Sequence, residues 1–235
     1  MKPSANIKLI TTEDGSHSLR IDELDETYHS IHGAIQESNH VFIEAGLKHY
    51  LKQNPDSGSI KILEYGFGTG LNALLSALGS SDKLKIEYHT LEKYPLSESI
   101  SNQLNYGKIL DANGILNLIH SAKWDAEVRI SSSFSIKKIE TDFIDFIPET
   151  TYELIFFDAF APSKQAELWN SEIFQNCYKG LKPGGVLVTY SAKGQVKRDL
   201  KSVGFIIESI PGPPGKFQMT RGVKPVSVIG DQYSM

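Results

Sequence analysis

The sequence lacks the features that would mark an exported, disulfide-linked or membrane-spanning protein. Cys177 is the only cysteine, so no intramolecular disulfide can form. No apolar run approaches the ~20 residues needed to span a bilayer. The first residues, MKPSANIKLI, contain no apolar stretch of signal-peptide length. These absences predict a protein without membrane contact that works in a reducing cytoplasm.

Strong charge of either sign is also missing. The formal net charge is −4, which gives no overall attraction to nucleic acid, so binding of RNA or DNA would need a local basic face. Hydrophobic residues make up 40% of the chain and charged residues 22%, as in ordinary folded domains. The chain is therefore expected to fold around a core of its own.

Several catalytic signatures are absent as well. There is no G-x-S-x-G nucleophile turn and no G-x-x-x-x-G-K-[ST] phosphate loop, which argues against hydrolase and NTPase classes. His29 and His32 have the spacing of a metal-binding pair, but no cysteine or acidic cluster completes a site around them. No metal is predicted.

Strand-like and helix-like segments alternate along most of the chain, which predicts βαβ units and a mostly parallel sheet with helices on both faces. The helix over 167–179 places Cys177 on its buried side. Strands are predicted near 60–64, 85–91, 126–130, 134–140, 152–158, 185–190 and 204–210, and helices near 70–78, 96–104, 112–121, 167–179 and 194–202.

The two ends of the chain depart from this rhythm. Residues 6–24 form two partly alternating segments around an Asp14-Gly15 pair, the signal of a β-hairpin. A helix follows from Glu37. Residues 204–229 contain two β-rich runs joined by a Pro/Gly turn, which predicts an antiparallel final pair. We therefore divide the chain into an N-terminal hairpin or lid extension, 1–36, and an α/β domain, 37–235.

Three glycines in ILEYGFGTGLNALL mark the turn after the first strand of this domain. In open parallel sheets that turn is a usual ligand site, and Gly66, Gly68 and Gly70 would let a ligand approach backbone N–H groups. Position 71 is leucine, so the dinucleotide spacing G-x-G-x-x-G is not met. The spacing G-x-G-x-G after Glu64 is typical of S-adenosylmethionine enzymes. The glycines alone also fit a merely tight strand–helix junction.

Three acids follow predicted strands and would reach the same crevice. Glu92 lies 22 residues after Gly70, where a carboxylate accepts hydrogen bonds from ribose hydroxyls. Asp142 precedes Phe143, and this pair fits the edge and face of adenine or, equally, a helix start. Asp158 follows the apolar run LIFF, where a buried carboxylate without a partner is costly, so a functional role is favoured.

Together these features predict a class I S-adenosylmethionine-dependent methyltransferase fold. It is an α/β, Rossmann-like fold with a mostly parallel seven-stranded sheet, an antiparallel terminal strand pair and a small N-terminal hairpin. The turn Lys182-Pro-Gly-Gly185 before the apolar run VLVTY fits the next buried strand of such a sheet.

Nearly the whole chain resembles the methyltransferase domain of the MnmC family. The resemblance is carried by GFGTGLN over 66–72, EKYPL over 92–96, and DAFAPSK over 158–164 with Trp169. Further matching pieces are DETYHS from Asp25, GAIQES from Gly33, and YSAKG from Tyr190. The combination is specific, although no single piece is.

The resemblance implies N-methylation of the 5-aminomethyl group of uridine or 2-thiouridine at the tRNA wobble position. S-adenosyl-L-methionine is the implied cofactor and Asp158 the residue facing the amine. Glu64 and the turn would hold the methionine end, Glu92 the ribose, and Asp142 with Phe143 the adenine. The implied cofactor-binding residues are Glu64, Gly66, Phe67, Gly68, Thr69, Gly70, Asn72, Glu92, Lys93, Asp142 and Phe143.

RNA would need the local basic face. Residues 193–224 carry seven cations against two acids, or +5, which leaves −9 for the remainder of the chain. A solvated, lysine-rich helix face is an equally good interpretation. Lys164 and Trp169 follow the catalytic strand, where phosphate contact and base-side packing compete with a solvated lysine and a core tryptophan. The candidate substrate or RNA-binding residues are Lys164, Trp169, Lys193, Lys197, Arg198, Lys216 and Arg221.

The sequence departs from the family pattern in two ways. The family commonly fuses this domain to a flavin-dependent oxidase, whereas this chain has no FAD domain, which implies a stand-alone enzyme supplied with precursor by a separate enzyme. Lys216-Phe-Gln-Met219 also replaces a more basic run.

Two alternatives stay open: a methyltransferase for a small-molecule or protein amine, and a non-catalytic S-adenosylmethionine- or nucleotide-binding module. Polyamine synthesis is disfavoured, since its Gly/Asp-rich turn is absent.

Overall fold

A computed structural model describes residues 6–226. An eight-stranded sheet forms its centre, in the order β10-β11-β9-β8-β4-β5-β7-β6. Five neighbouring strands are parallel, and β6, β11 and their partners pair antiparallel. The strands are β4 Ser59–Tyr65, β5 Lys85–Glu92, β6 Glu127–Arg129, β7 Phe134–Glu140, β8 Tyr152–Phe157, β9 Leu181–Thr189, β10 Ile206–Pro211 and β11 Gln218–Val223.

This arrangement confirms the mostly parallel sheet and the antiparallel final pair. The sheet has eight strands where the predicted fold has seven; β6 corresponds to the strand predicted near 126–130, and β11 is the second β-rich run of the tail. In the tail, β10 pairs with β11 from Ile206–Val223 to Pro211–Gln218. The last three residues of the predicted second run, 227–229, lie outside the described residues.

Helices cover both faces of the sheet and form two apolar cores. One core packs under the first three helices and α6, and the other packs under α7 and α8. Cys177 is fully buried in the second core, as expected from its place in α7. The helices are α1 Ala34–Ser38, α2 His49–Gln53, α3 Leu71–Gly79, α4 Glu98–Ser101, α5 Tyr106–Ile109, α6 Asn113–Ser121, α7 Ser171–Gly180 and α8 Gly194–Ser202.

Two predicted helices differ from the observed ones. The predicted helix over 96–104 shrinks to the single turn of α4, which ends where the N–H groups of Gln103 and Leu104 bond to carbonyls only three residues back, at Ile100 and Ser101. The helix predicted from Glu37 begins earlier, at Ala34, and runs into α2 through a π-helical stretch, Asn39–Lys48. Among the described residues no helix is long and apolar enough to cross a membrane.

The N-terminal segment forms a small sheet of its own. β1 (Ile7–Thr11) and β2 (His17–Ile21) form the predicted hairpin, with Gly15 in a left-handed conformation at φ +81°. A two-residue strand, β3 (Glu26–Thr27), extends it to three strands. Residues 28–33 then lead across the end of the parallel sheet into α1, which places this segment over the carboxyl ends of the strands.

Candidate active site

A cavity of about 690 Å³ lies at the carboxyl ends of the parallel strands. Its volume is in the range of small-molecule sites. The loops after β4, β5, β7 and β8 form its floor and walls, residues 21–30 form a cover, and Glu37 and Lys216 complete one side. The site therefore lies where ligands bind in open α/β sheets.

The glycine turn approaches other chain segments too closely for larger residues. Gly66, Gly68 and Gly70 have φ of +102°, +48° and +73°. A Cβ on Gly66 would lie 2.6 Å from the carbonyl oxygen of Asp158, and one on Gly68 would lie 3.1 Å from the ring of Tyr28. Gly66 and Gly68 line the cavity, as predicted, whereas Gly70 begins α3 away from it.

Phe67 and Thr69, the residues between the glycines, also line the cavity. Contacts with residues outside the glycine turn fix both side chains. The Phe67 ring packs edge-on against Trp124 at 5.8 Å, and the ammonium of Lys138 lies 5.4 Å from the centre of the same ring. The hydroxyl of Thr69 is 2.8 Å from Nε2 of His29. Burial lowers the pKa of His29 to about 4, so this imidazole is neutral at neutral pH.

Glu92 ties the end of β5 to the glycine turn. Its Oε2 accepts a hydrogen bond from the backbone N–H of Gly68 at 3.0 Å, and its Oε1 accepts one from Tyr94 at 2.9 Å. Burial raises the pKa of Glu92, against the opposing effect of these N–H groups. A carboxylate has about four acceptor positions, so these N–H groups leave acceptor capacity for a hydroxyl donor in the cavity.

Lys93, Asp142 and Phe143 line the next part of the cavity. Lys93 forms an ion pair with Asp142. Burial alone would raise the pKa of Asp142, but the hydrogen bond from Lys93 and backbone N–H groups lower it. The Phe143 ring packs perpendicular to Tyr65 at 5.3 Å. The structure therefore brings the predicted carboxylate and aromatic face together at one end of the site.

Asn72 bridges two carboxyl groups. Its amide nitrogen donates to Glu64 Oε1 at 3.0 Å and to Asp158 Oδ2 at 2.8 Å. Glu64 is fully buried, accepts a second hydrogen bond from Thr90 at 2.6 Å, and does not line the cavity. The geometry thus gives Glu64 a supporting contact to Asn72, where the sequence suggested direct contact with the cofactor.

Asp158 lines the cavity directly after β8. Burial and the nearby charge of Glu37 raise the pKa of its carboxyl to about 7, against the lowering effects of Asn72 and Lys216. Burial likewise raises the pKa of Glu64 to about 8. At neutral pH Glu64 therefore remains largely protonated, while Asp158 is about half ionised.

Lys216 and Glu37 form an ion pair beside Asp158. Lys216 Nζ lies 2.6 Å from Glu37 Oε1 and 4.0 Å from the centre of the Tyr190 ring. The other oxygen of Glu37 accepts a hydrogen bond from the backbone N–H of Ser30 at 2.7 Å. Residues from both ends of the described chain thus meet at the acid that follows β8.

Lys164 and Trp169 have different environments. Lys164 is exposed at the edge of the cavity. Trp169 is only 5% exposed, does not line the cavity, and donates from Nε1 to the carbonyl of Phe160 at 2.8 Å. Its indole packs on Phe157 in the second core. Trp169 therefore fixes the loop after β8 from below.

The residues of the predicted basic face differ in exposure and in their partners. Lys193, immediately before α8, and Arg198, on α8, are exposed, and Lys197 of the same helix donates to Ser209 at 2.8 Å. The side chain of Arg221 is only 13% exposed and pairs with Glu208 at 2.6 Å. Lys216 belongs to the cavity. Lys193, Lys197 and Arg198 thus remain as a group of cations on the surface at the start of α8.

Two cavity residues, Tyr28 and Glu37, lie in the matching pieces DETYHS and GAIQES but were given no role from the sequence. Tyr28 packs on Gly68 and edge-on against Phe160, with 5.0 Å between the ring centres. Glu37 lies four residues before Val41, so an acid on the apolar face of the predicted helix was the available signal. His32 lies 3.0 Å from Glu13, and it shares no ligand cluster with His29.

Comparisons with known proteins agree with this geometry. Residues 118–225 match the family model described as S-adenosyl-L-methionine-dependent methyltransferase. The bifunctional protein MnmC of tRNA 5-methylaminomethyl-2-thiouridine biosynthesis from Cupriavidus necator is 29% identical over 212 residues, covering 83% of this chain and 31% of its own length. The corresponding Leptospira interrogans protein is 28% identical over 218 residues, with coverages of 86% and 33%.

The chain thus spans about a third of the length of the curated relatives it matches. Among solved structures, MnmC2 from Aquifex aeolicus aligns with a TM-score of 0.75 and 25% identity over 96% of this chain and 73% of that one. Spermidine synthase from Thermotoga maritima shares the fold, with a TM-score of 0.58 and 14% identity. The alignment covers 95% of this chain and 70% of the synthase.

The family model and the relatives agree on a methyltransferase class, and the solved MnmC2 structure shares the fold of nearly the whole chain. The predicted cofactor, S-adenosyl-L-methionine, is confirmed by the same findings. Residues 118–225, a little under half of the chain, match the S-adenosyl-L-methionine-dependent methyltransferase model, and most of the chain is similar to one part of the MnmC proteins.

Proposed function

We propose that the protein methylates the amino nitrogen of 5-aminomethyl-uridine or its 2-thio form at the tRNA wobble position, giving 5-methylaminomethyl-(2-thio)uridine. The observation that carries this proposal is the cavity-facing carboxyl of Asp158, held by Asn72 directly beside the glycine turn. The relatives named for 5-methylaminomethyl-2-thiouridine biosynthesis supply the substrate class.

The residues around the cavity fit the cofactor. Gly66 and Gly68 leave room for close approach to the backbone, since a Cβ on either would meet a neighbour at 2.6 or 3.1 Å. Glu92 keeps free acceptor positions for ribose hydroxyls, and Asp142 with Phe143 offers an acceptor and a ring to adenine. When bound, S-adenosyl-L-methionine supplies an activated methyl group on a sulfonium centre.

Asp158 is assigned to the acceptor amine. A carboxylate here accepts a hydrogen bond from the amine, which directs the nitrogen lone pair and holds the nucleophile in a reactive orientation. Only the neutral amine carries a free lone pair, so the site must also manage a proton. With a pKa of about 7, Asp158 can take up the proton released on methylation and return it to water near neutral pH.

Glu64 and Asn72 are assigned to positioning Asp158. Because the pKa of Glu64 is about 8, this carboxyl stays largely protonated and adds little negative charge beside Asp158. Asn72 fixes one oxygen of Asp158, which leaves the other oxygen for the acceptor. Two carboxyl groups in one site thus have separate tasks because their surroundings differ.

A second candidate is a methyltransferase for an amine on a small molecule or a protein. The observation that favours it is the pairing of Arg221 with Glu208 and of Lys216 with Glu37, which reduces the free positive charge available to RNA. Asp158 would have the same role in that reaction, so only the acceptor distinguishes the two proposals.

The deciding experiment is methyl transfer from labelled S-adenosyl-L-methionine to tRNA that carries the 5-aminomethyl group, followed by nucleoside analysis. We expect labelled 5-methylaminomethyl-uridine or its 2-thio form. An authentic tRNA methyltransferase serves as the positive control for the tRNA, and cofactor binding is measured in parallel. Cofactor binding without any transfer to competent tRNA would contradict the proposal and favour another amine.

A further inference from the structure

Phe217 is unusually exposed for a large aromatic residue. Its side chain is 91% accessible to solvent. All eleven phenylalanines and both tryptophans lie within the described residues, and the other twelve are buried or half-buried. An exposed phenylalanine contributes no burial of apolar surface to the stability of the fold, so its ring is available for a contact with a ligand or partner.

The backbone of the hairpin tip fixes the position of Phe217. The strands close at the pair Pro211–Gln218, the carbonyl of Phe217 accepts from Gly212 N–H at 3.2 Å, and Lys216 N–H donates to Pro213 at 2.9 Å. A Cβ on Gly212 would lie 2.4 Å from the Lys216 carbonyl oxygen, so the tip is tightly folded. The exposed ring is therefore carried by an ordered turn.

The residues on either side of Phe217 connect it to the cavity and to positive charge. Lys216 lines the cavity beside Asp158. On the other side, Lys197 of α8 reaches the Gln218 side chain at 3.4 Å, and the exposed Arg198 follows it on the same helix. A solvent-facing aromatic thus lies between the acceptor end of the cavity and the cations of α8.

We propose that Phe217 is a stacking platform for a nucleobase adjacent to the acceptor uridine in a single-stranded RNA loop, with the α8 cations facing the neighbouring phosphates. Unstacked bases in RNA loops are commonly recognised on aromatic rings, while lysine and arginine contact phosphates without reading sequence. This inference rests on the proposed tRNA function and extends it to a named recognition residue.

RNA fits this surface better than a protein partner does. One phenylalanine flanked by Lys216 and Gln218 forms a small apolar area, far below the patches typical of protein interfaces. Stacking needs only one ring face, and phosphates need separated cations. Both requirements are met within consecutive residues and one turn of α8.

The test compares Phe217→Ala, Phe217→Tyr and Phe217→Trp on two acceptors: tRNA bearing 5-aminomethyl-uridine and the free nucleoside. We expect Phe217→Ala to lower kcat/KM for tRNA by about 10- to 100-fold, as for loss of one base–aromatic stack. Turnover of the nucleoside and affinity for the cofactor should remain as in the wild type. Tyrosine and tryptophan should preserve activity on tRNA.

Two controls separate stacking from charge and from general surface effects. Leu118→Ala removes a different apolar side chain, which lies on α6 and is 50% exposed. This variant should leave tRNA turnover unchanged. Lys197→Gln should reduce the salt dependence of tRNA binding by about one unit of slope, whereas Phe217→Ala should leave that slope unaltered.

Each other outcome identifies a different error. If wild-type protein turns over tRNA and Phe217→Ala does so equally well, the stacking role is wrong while the proposed function stands. Equal losses on tRNA and nucleoside would mean that the ring only supports the site. A change in sedimentation with Phe217→Ala would assign the ring to a contact between copies. If the wild type does not act on tRNA at all, both proposals fail.

Discussion

The two halves of the cavity are built in contrasting ways. The half assigned to the cofactor comes from one stretch of chain, 66–143, at the ends of adjacent parallel strands β4, β5 and β7. The half assigned to the acceptor combines Asp158 and Tyr190 with Tyr28 and Glu37 from the N-terminal segment and Lys216 from the last hairpin. Strand order builds the first half, and docking of distant segments builds the second.

This difference indicates that specificity for the acceptor can change in the second half of the cavity without loss of the fold. The first half depends on backbone conformation, namely glycines at positive φ and N–H groups bound by Glu92. The second half depends on ion pairs and ring contacts between segments that the sheet does not require. We expect damage to the first half to appear as lost cofactor affinity, and damage to the second as altered chemistry or acceptor choice.

The largest effect is expected from Asp158→Asn. Loss of the acceptor carboxylate should reduce kcat by about 10²- to 10⁴-fold, a typical range for a group that takes part in proton transfer. The affinity for S-adenosyl-L-methionine, measured by calorimetry, should change little because the glycine turn and Glu92 are intact. Normal turnover by this variant would remove Asp158 from the proposed chemistry.

Gly68→Val should have the next largest effect, confined to the other half. Valine is strained at φ +48° and its side chain would collide with the Tyr28 ring. We expect about 100-fold weaker cofactor binding by calorimetry. Gly114→Val is the matched control, since a Cβ at Gly114 meets nothing within 4 Å. Equal affinities in Gly68→Val and wild type would show that the turn does not contact the cofactor.

Opposite shifts of the pH–rate profile are expected from Glu37→Gln and Lys216→Gln. Glu37 raises the pKa of Asp158 and Lys216 lowers it. The acid limb of kcat/KM should therefore move to lower pH in Glu37→Gln and to higher pH in Lys216→Gln. Glu64 and Tyr190 also face Asp158 and are unchanged in both variants. Shifts in the same direction would show that the pair acts only as a structural link.

A smaller effect is expected from Lys93→Met. The Lys93–Asp142 pair is partly exposed, and such pairs contribute up to about 1 kcal/mol. We predict cofactor affinity about two- to fivefold weaker by calorimetry. Lys48→Met breaks the exposed pair with Glu44 on the π-helical stretch and serves as the control. An unchanged affinity in Lys93→Met would mean that Asp142 needs no help from Lys93.

A separate effect concerns stability. The pKa of Asp158 is raised from 3.8 to about 7, so the native state keeps a proton that the unfolded chain releases. The contribution of Asp158 to the free energy of unfolding is therefore fully present below pH 4 and is lost as the pH rises to 7. Asp158→Asn should raise the Tm at pH 8 by several degrees, because the raised pKa of Asp158 opposes folding there, and much less at pH 4. Calorimetric melting at both pH values checks this difference.

The sequence predicted the cofactor half more completely than the acceptor half. Gly66, Gly68, Glu92, Asp142 and Phe143 come together because strand ends of a parallel sheet meet at one edge, so spacing along the chain was sufficient. Their roles remain predictions.

Tertiary contacts decided the positions that the sequence left open. Trp169 followed the catalytic strand, yet its indole fills the core instead of the cavity. Lys216 and Arg221 looked equivalent as cations, but one reaches Glu37 in the cavity and the other Glu208 on β10. Neither choice is encoded in local periodicity, because each depends on which carboxylate lies within reach in the folded chain.

The meeting of Glu37 and Lys216 has a consequence for synthesis of the protein. A nascent chain that has emerged only through β9 already contains β4, β5, β7, β8 and the glycine turn, but lacks the cation that pairs with buried Glu37. The acceptor half is completed only when the last hairpin docks. An unfinished chain on the ribosome can thus hold the elements assigned to the methyl donor while lacking the completed half assigned to the acceptor.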